Sequence, residues 1–257
     1  GGSRVPVRGD NLAVFAVASQ ADLANGVAGV PEDKKEPGHL VTNALDPTGL
    51  AALQLGGVTT IEGDAQSRGT IDTGGDVVVK GERRPQAEPV PLPDINFATL
   101  DPISRTEKTD ITTTSLNNPP QFEGFYRAGN SLTISGGLDL NGAVIYVNGS
   151  VTVDGGIRGK GALIATLDVT VRGASQFTGD QQAGIVAGGN VELQGGANAE
   201  YHGLIYSEGN LDVSNIQVAG SVVVNNPNGA GSTRFQDAAM VQTPGSGLLN
   251  FPITTTV

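Results

Sequence analysis

Lys80, Arg83 and Arg84 fall within five residues of one another, and Arg158 and Lys160 share a turn further on. The 257-residue chain holds only 15 Lys and Arg against 26 Asp and Glu, so such grouping is informative. Clustered cations neutralise phosphates and release their counterions, and the two groups brought together would make a local site for a polyanion such as double-stranded DNA. A formal net charge of −11 repels polyanions from the surface at large, so any such site has to be local. Lys34 and Lys35 are largely cancelled by Glu32, Asp33 and Glu36. The competing reading of all these cations is a solvated face. Tyr126, Tyr146, Tyr201 and Tyr206 read as ladder residues, which makes them poor platforms for stacking bases.

Asp139, Asp154, Asp168 and Asp180 recur near turns. Glycosidic chemistry needs two carboxyls about 5 to 9 Å apart, but no tight acid cluster with an adjoining Arg or His is visible, and the turn reading is favoured. His39 and His202 are the two histidines; neither has a second His or a patterned acid at metal-ligand spacing. Without cysteine there is no disulfide, thiolate metal site or thiol nucleophile, and phosphate-binding glycine loops and calcium-binding nonapeptides are absent as well. The expectation is a non-enzymatic protein with no cofactor. Arg8-Gly9-Asp10 is an isolated integrin-type tripeptide beside a strand, and the sequon Asn148-Gly149-Ser150 occupies a turn.

What positions these residues is a nine-residue phrase. IDTGGDVVV from 71, IYVNGSVTV from 145, LIATLDVTV from 163, IVAGGNVEL from 185 and IYSEGNLDV from 205 share Ile or Leu at the first place and Val or Leu at the seventh and ninth. Glycine fills the fifth place except at Leu167, and the sixth is always Asp, Asn or Ser, types that close turns. The eighth is polar except at Val78, as period-two strands with one outward face require.

Two such short strands cannot bury their own apolar faces. Copies returning after 18, 22 and 20 residues can do so by stacking. The predicted fold is therefore all-β, a single parallel β-solenoid of about ten coils, right-handed by the general crossover rule. Its N-terminal coils are expected in 1–80, a Pro-rich excursion in 81–121 with seven of the 14 prolines, regular coils in 122–224, and a C-terminal cap or tail in 225–257. The excursion is expected to lie against the rod, pinned by Leu92, Ile95, Phe97 and Leu100.

No run of 18 apolar residues and no signal sequence is visible, and the opening Gly1-Gly2-Ser3 is compatible with an expression scar on an excised piece of a larger protein. The stretches VIYVNGSVTVDGGIRGKGALIATLDVTVRG and GLIYSEGNLDVSNIQVAGSVVV, with PLPDINF ahead of them, resemble the β-solenoid regions of bacterial pilus-associated proteins that carry a pilin-type N-terminal helix, among them competence pilins with a solenoid inserted into a pseudopilin domain. The resemblance covers about 70–224 and implies the solenoid of a minor pilin, displayed at the tip of a type IV pilus. Other minor pilins would be its partners, membrane attachment would run only through an absent N-terminal helix, and DNA would be bound during natural transformation. It carries no DNA motif across, so Lys80, Arg83, Arg84, Arg158 and Lys160 rest on charge alone. The rivals are an adhesin or polymer-forming surface protein and, behind it, a polysaccharide lyase or hydrolase using the corner acids.

Overall fold

A computed structural model describes residues 40–42, 53–61, 64–88, 95–175, 183–196, 199–224, 233–236 and 239–241. The repeated phrase becomes one long strand, a glycine corner and one short strand. In chain order the elements are β1 (Leu40–Thr42), β2 (Leu53–Gly56), β3 (Thr59–Ile61), β4 (Ala65–Ser67), β5 (Ile71–Gly74), β6 (Val77–Val79) and β7 (Arg83–Arg84). A helical turn α1 (Phe97–Leu100) and a 3-10 turn (Pro102–Ser104) follow. The long strands are β8 (Lys108–Ile111), β10 (Phe125–Ala128), β12 (Leu138–Val147), β14 (Ile157–Ala165), β16 (Ala183–Ala187), β18 (Glu200–Ser207), β20 (Gln217–Val224) and β22 (Ala239–Val241). Alternating with them are the short β9 (Ser115–Asn117), β11 (Leu132–Ser135), β13 (Val151–Asp154), β15 (Val169–Arg172), β17 (Val191–Gln194), β19 (Leu211–Ser214) and β21 (Thr233–Gln236).

Every strand pairing among the described residues is parallel, so the chain is a β-solenoid. The seventh place of the phrase forms an unbroken inward column, Leu132, Val151, Val169, Val191 and Leu211, each register partner of the next and each buried. Ile145, Leu163, Ile185 and Ile205 form a second column on the long strands. The glycine corners exist because neighbouring corners touch: a Cβ on Gly149 would sit 2.7 Å from the Ser131 nitrogen, and one on Gly209 2.8 Å from the Gly189 carbonyl carbon. Leu167, the exception in that slot, stands 53% exposed.

The order of the stack is not the order of the chain. The short strands run β9-β11-β13-β15-β17-β19-β21 and then continue with β2 and β5, so the N-terminal coils sit on the C-terminal ones. The long strands form an eight-stranded sheet beside this nine-stranded one, a slightly shorter stack than the ten or so coils expected. The stack also extends beyond 122–224 in both directions. The expected excursion already contains β7, β8 and β9, because Pro85, Pro102, Pro119 and Pro120 all fall between strands and leave the ladders intact. The expected tail supplies β21 and β22.

From β7 at one end the chain has to return to β8 at the other. Ile95, Phe97 and Leu100 lie on an outward apolar stripe of the long strands made by Tyr146, Ile164, Val186, Leu204 and Tyr206. Leu92 lies outside the described residues. The Asn96 side chain caps α1 by accepting from the Ala98 N–H, and Asp101 caps the 3-10 turn from the Ile103 N–H. Further along this strap, Asp101 accepts from Arg127 Nε and Nη2 at 2.8 and 3.1 Å, and the Arg105 guanidinium lies 3.9 Å from the centre of the Phe125 ring. No helix of the described residues is long and apolar enough to cross a membrane.

Candidate nucleic-acid interface

The two groups of cations are set far apart. Lys80 follows β6, and Arg83 and Arg84 form β7 at the end of the stack, all exposed. Arg158 and Lys160 are exposed positions of β14, which leads into β15. In the nine-stranded sheet β15 lies five steps from β5, about 24 Å at ~4.8 Å per strand. The fold therefore does not join the five side chains into one compact site.

Two of the arginines are occupied. Arg158 Nε donates to Asp139 Oδ2 at 2.8 Å across adjacent strands, and Gln121 Nε2 donates to the other oxygen of the same carboxylate at 3.1 Å. Arg84 lies 2.6 Å from Glu82 Oε2 and 3.6 Å from Asp64 Oδ2. The hydrogen bond that Arg84 donates to Glu82, then the charges of Glu82 and Asp64, raise the Arg84 pKa further. Arg83 has no acid partner among the described residues, and Lys160 is in register with Asn141.

Register gives Arg83 a second meaning. It is partnered with Ala65, a fully buried core residue, so it occupies an inward position in the last layer, where no described strand covers it. Pro85 follows Arg84 and has no N–H to donate. A charge at an inward register position and a proline two residues on are devices that stop a sheet edge from recruiting another strand. The N-terminal cation group thus terminates the stack, whatever else it binds.

The acids weighed for catalysis serve the corners. Asp139 is held as above, Asp168 accepts from the Asn190 backbone and side chain at 2.7 and 2.9 Å, and Asp180 lies outside the described residues. Asp154 pairs in register with Ser135 and Arg172 along the outer face. No group of three His, Cys, Asp or Glu among the described residues is placed to hold a metal. His202 is buried on β18 with Nε2 3.5 Å from Glu200, while His39 and the Arg8-Gly9-Asp10 tripeptide lie outside the described residues. Of the sequon, Ser150 belongs to a corner ladder: its N–H donates to Ser131 Oγ, and its own Oγ accepts from the Asp168 N–H.

Tyr146, Tyr201 and Tyr206 are buried and Tyr126 is half-buried, so none presents a free ring face for a base. Full burial pushes the Tyr201 phenol well above its ordinary range, and burial raises Tyr146 as well, with the Asp101 charge adding to it.

One feature has no signature in the sequence. Ile103, Lys108, Asp110, Ile111 and Arg127 line an open groove of about 520 Å³ at the β8 end of the rod. Its cations are single residues in the sequence, and only the pairing of Asp110 with Arg127 across β8 and β10 assembles them. Lys108 Nζ lies 2.8 Å from Asp110, and Arg127 is taken by Asp101, so the groove offers neutralised pairs and not a bare cationic pocket. Comparison with protein-family models, curated proteins and solved structures gives no match to this chain.

Proposed function

We propose that this chain is the display solenoid of a type IV pilus-associated minor pilin, a non-enzymatic cell-surface module that contacts extracellular DNA during uptake. The observation that carries this reading is the place where the chain enters and leaves the stack. β2 pairs with β21 and β3 lies against β22, so the first and last described coils occupy neighbouring layers. A module whose entry and exit lie side by side suits insertion into a host domain of pilin type, with the layers from β21 to β9 projecting away from it. The spacing of the cations supports a particular kind of ligand. Two groups at least about 24 Å apart along the axis suit an extended polyanion laid along the rod better than a compact one.

The test is a band-shift titration with duplex DNA at several salt concentrations. Affinity should fall linearly in a log–log plot against salt. Replacing Lys80, Arg83 and Arg84 by Gln should reduce the slope by about 0.9 for each phosphate that is no longer neutralised. Binding indifferent to these replacements and to Arg158→Gln rejects the site. A second reading, a surface polymer built from the solenoid itself, draws on the outer edges of β8 and β9, which pair with no further described strand. It predicts self-association through that open end, with light scattering that grows with protein concentration.

A further inference from the structure

All but one of the strand pairings in the nine-stranded sheet join successive turns of the coil. Between β21 and β2 the partners Leu53 and Thr233 stand 180 residues apart in the sequence (233 minus 53), and the chain does not run from one strand to the other. The joint is also chemically distinct. The inward column of Leu132, Val151, Val169, Val191 and Leu211 resumes beyond the joint with Leu53 and Ile71, and the one polar member is Thr233. That residue is 0% exposed and its Oγ1 has no hydrogen-bond partner among the described residues. A buried hydroxyl without a partner destabilises the closed joint, because opening returns it to water.

We propose that this joint is exchangeable, and that the partner it fits is the β1–β7 unit of a second copy of this chain, giving a reciprocally swapped dimer. The two units are already separable in covalent terms. Residues 85–94 connect Arg84 to the strap at Ile95, and ten residues of extended chain reach at most about 35 Å. Exchange needs no new surface, since the second copy offers Leu53, Gln54 and Leu55 to Thr233, Arg234 and Phe235 in the same register. Reciprocal exchange closes at two copies, because each unit fills the joint that the other vacates, and the far edge of the unit adds no further contact. The outer edge of the transferred unit is β7, where Arg83 and Pro85 stop further stacking.

The chain contains no cysteine, which makes the test clean. Gln54 and Arg234 are register partners across the joint, so a Gln54→Cys, Arg234→Cys double variant should cross-link within one chain on oxidation. The two single variants, purified separately, mixed at high concentration, warmed to just below the unfolding transition and then oxidised, should give a cross-linked species of twice the mass, in an amount rising with concentration. Thr233→Val should make its appearance roughly fivefold slower by stabilising the closed joint. Absence of the double-mass species under conditions where the double variant closes on itself overturns exchange. Failure of the double variant to cross-link overturns the register of the joint, and an unaltered rate in Thr233→Val removes the role given to its hydroxyl.

Discussion

Asn210 repeats on Asn190 what Asn190 does to Asp168. Its backbone N–H and its side-chain amide both donate to Asn190 Oδ1, at 2.8 and 3.0 Å, just as those of Asn190 reach Asp168 Oδ1 at 2.7 and 2.9 Å. Asp168 donates its own N–H to Ser150, and Ser150 to Ser131, so one polar rail runs along the glycine corner of five successive coils. Each lower member satisfies the corner N–H above it, which a hydrocarbon there would leave to water.

Asn190→Ala should cost about 0.5–1.5 kcal/mol in chemical unfolding, since it strips an acceptor from Asn210 and a donor from Asp168 at an exposed corner. Asn190→Asp should be worse near neutral pH than in acid, because it sets a second carboxylate beside Asp168. Protonation of the introduced carboxyl relieves the repulsion, so the variant should regain stability relative to the parent as pH falls through the carboxylate range. A deficit independent of pH would show that the amide donors, and not the charges, set the cost.

The strap should come loose when its polar clasp is cut. Asp101 and Arg127 form a two-point hydrogen-bonded pair whose side chains are only 15% and 19% exposed. Asp101→Ala leaves a mostly buried guanidinium without its anion and should cost about 1–3 kcal/mol. Limited proteolysis should then cleave within 95–107 well before the rod is attacked, and Phe97→Ala, which removes the apolar anchor on the stripe under the strap, should open the same sites.

Alkaline pH should unfold the rod through Tyr201. Its hydroxyl donates to the Ala183 carbonyl at 2.7 Å with the Leu204 carbonyl 3.0 Å away, and burial raises its folded pKa far above that of the unfolded chain. The neutral phenol is the stabilised form, so its contribution is fully present below about pH 10 and declines as pH rises past that value toward the folded pKa. Ultraviolet titration should show Tyr201 ionising only as the fold is lost. Tyr201→Phe should flatten the alkaline decline while lowering stability at neutral pH by about 1 kcal/mol.

Removing the stop at the β7 end should turn the rod adhesive. Arg83→Val with Pro85→Val restores an apolar inward residue and a backbone donor, the pattern every interior layer carries. Light scattering of the double variant should rise with concentration while the parent stays constant. Equal behaviour of the two would show that this edge is protected by something other than Arg83 and Pro85.

The core is legible in the sequence because burial on one face imposes a period of two. Val151, Val153, Val169, Val171, Val191, Leu193, Leu211 and Val213, singled out by their place in the phrase, are all buried in the inward ladders. A further copy at 126–134 is hidden because Tyr126 stands where the others carry Ile or Leu, and its glycine, Gly129, comes one place early, leaving Asn130 at the corner. The order of the stack is not legible at all. Leu53 has the same apolar character toward Thr233 as toward any inward residue, and nothing local marks which coil it will cover. For the same reason the two cation groups are readable as groups, but their separation is set by five intervening strand steps that have no trace near Arg84 or Arg158.

The side-by-side entry and exit of the chain has a mechanical consequence. A pull applied to the chain beyond Leu40 and Val241 enters and leaves through neighbouring layers, so the tension crosses the β2–β21 pairing and bypasses the coils from β19 to β9. Those coils and the strap bear no load and would keep their shape and surface unchanged under traction that shears the joint apart.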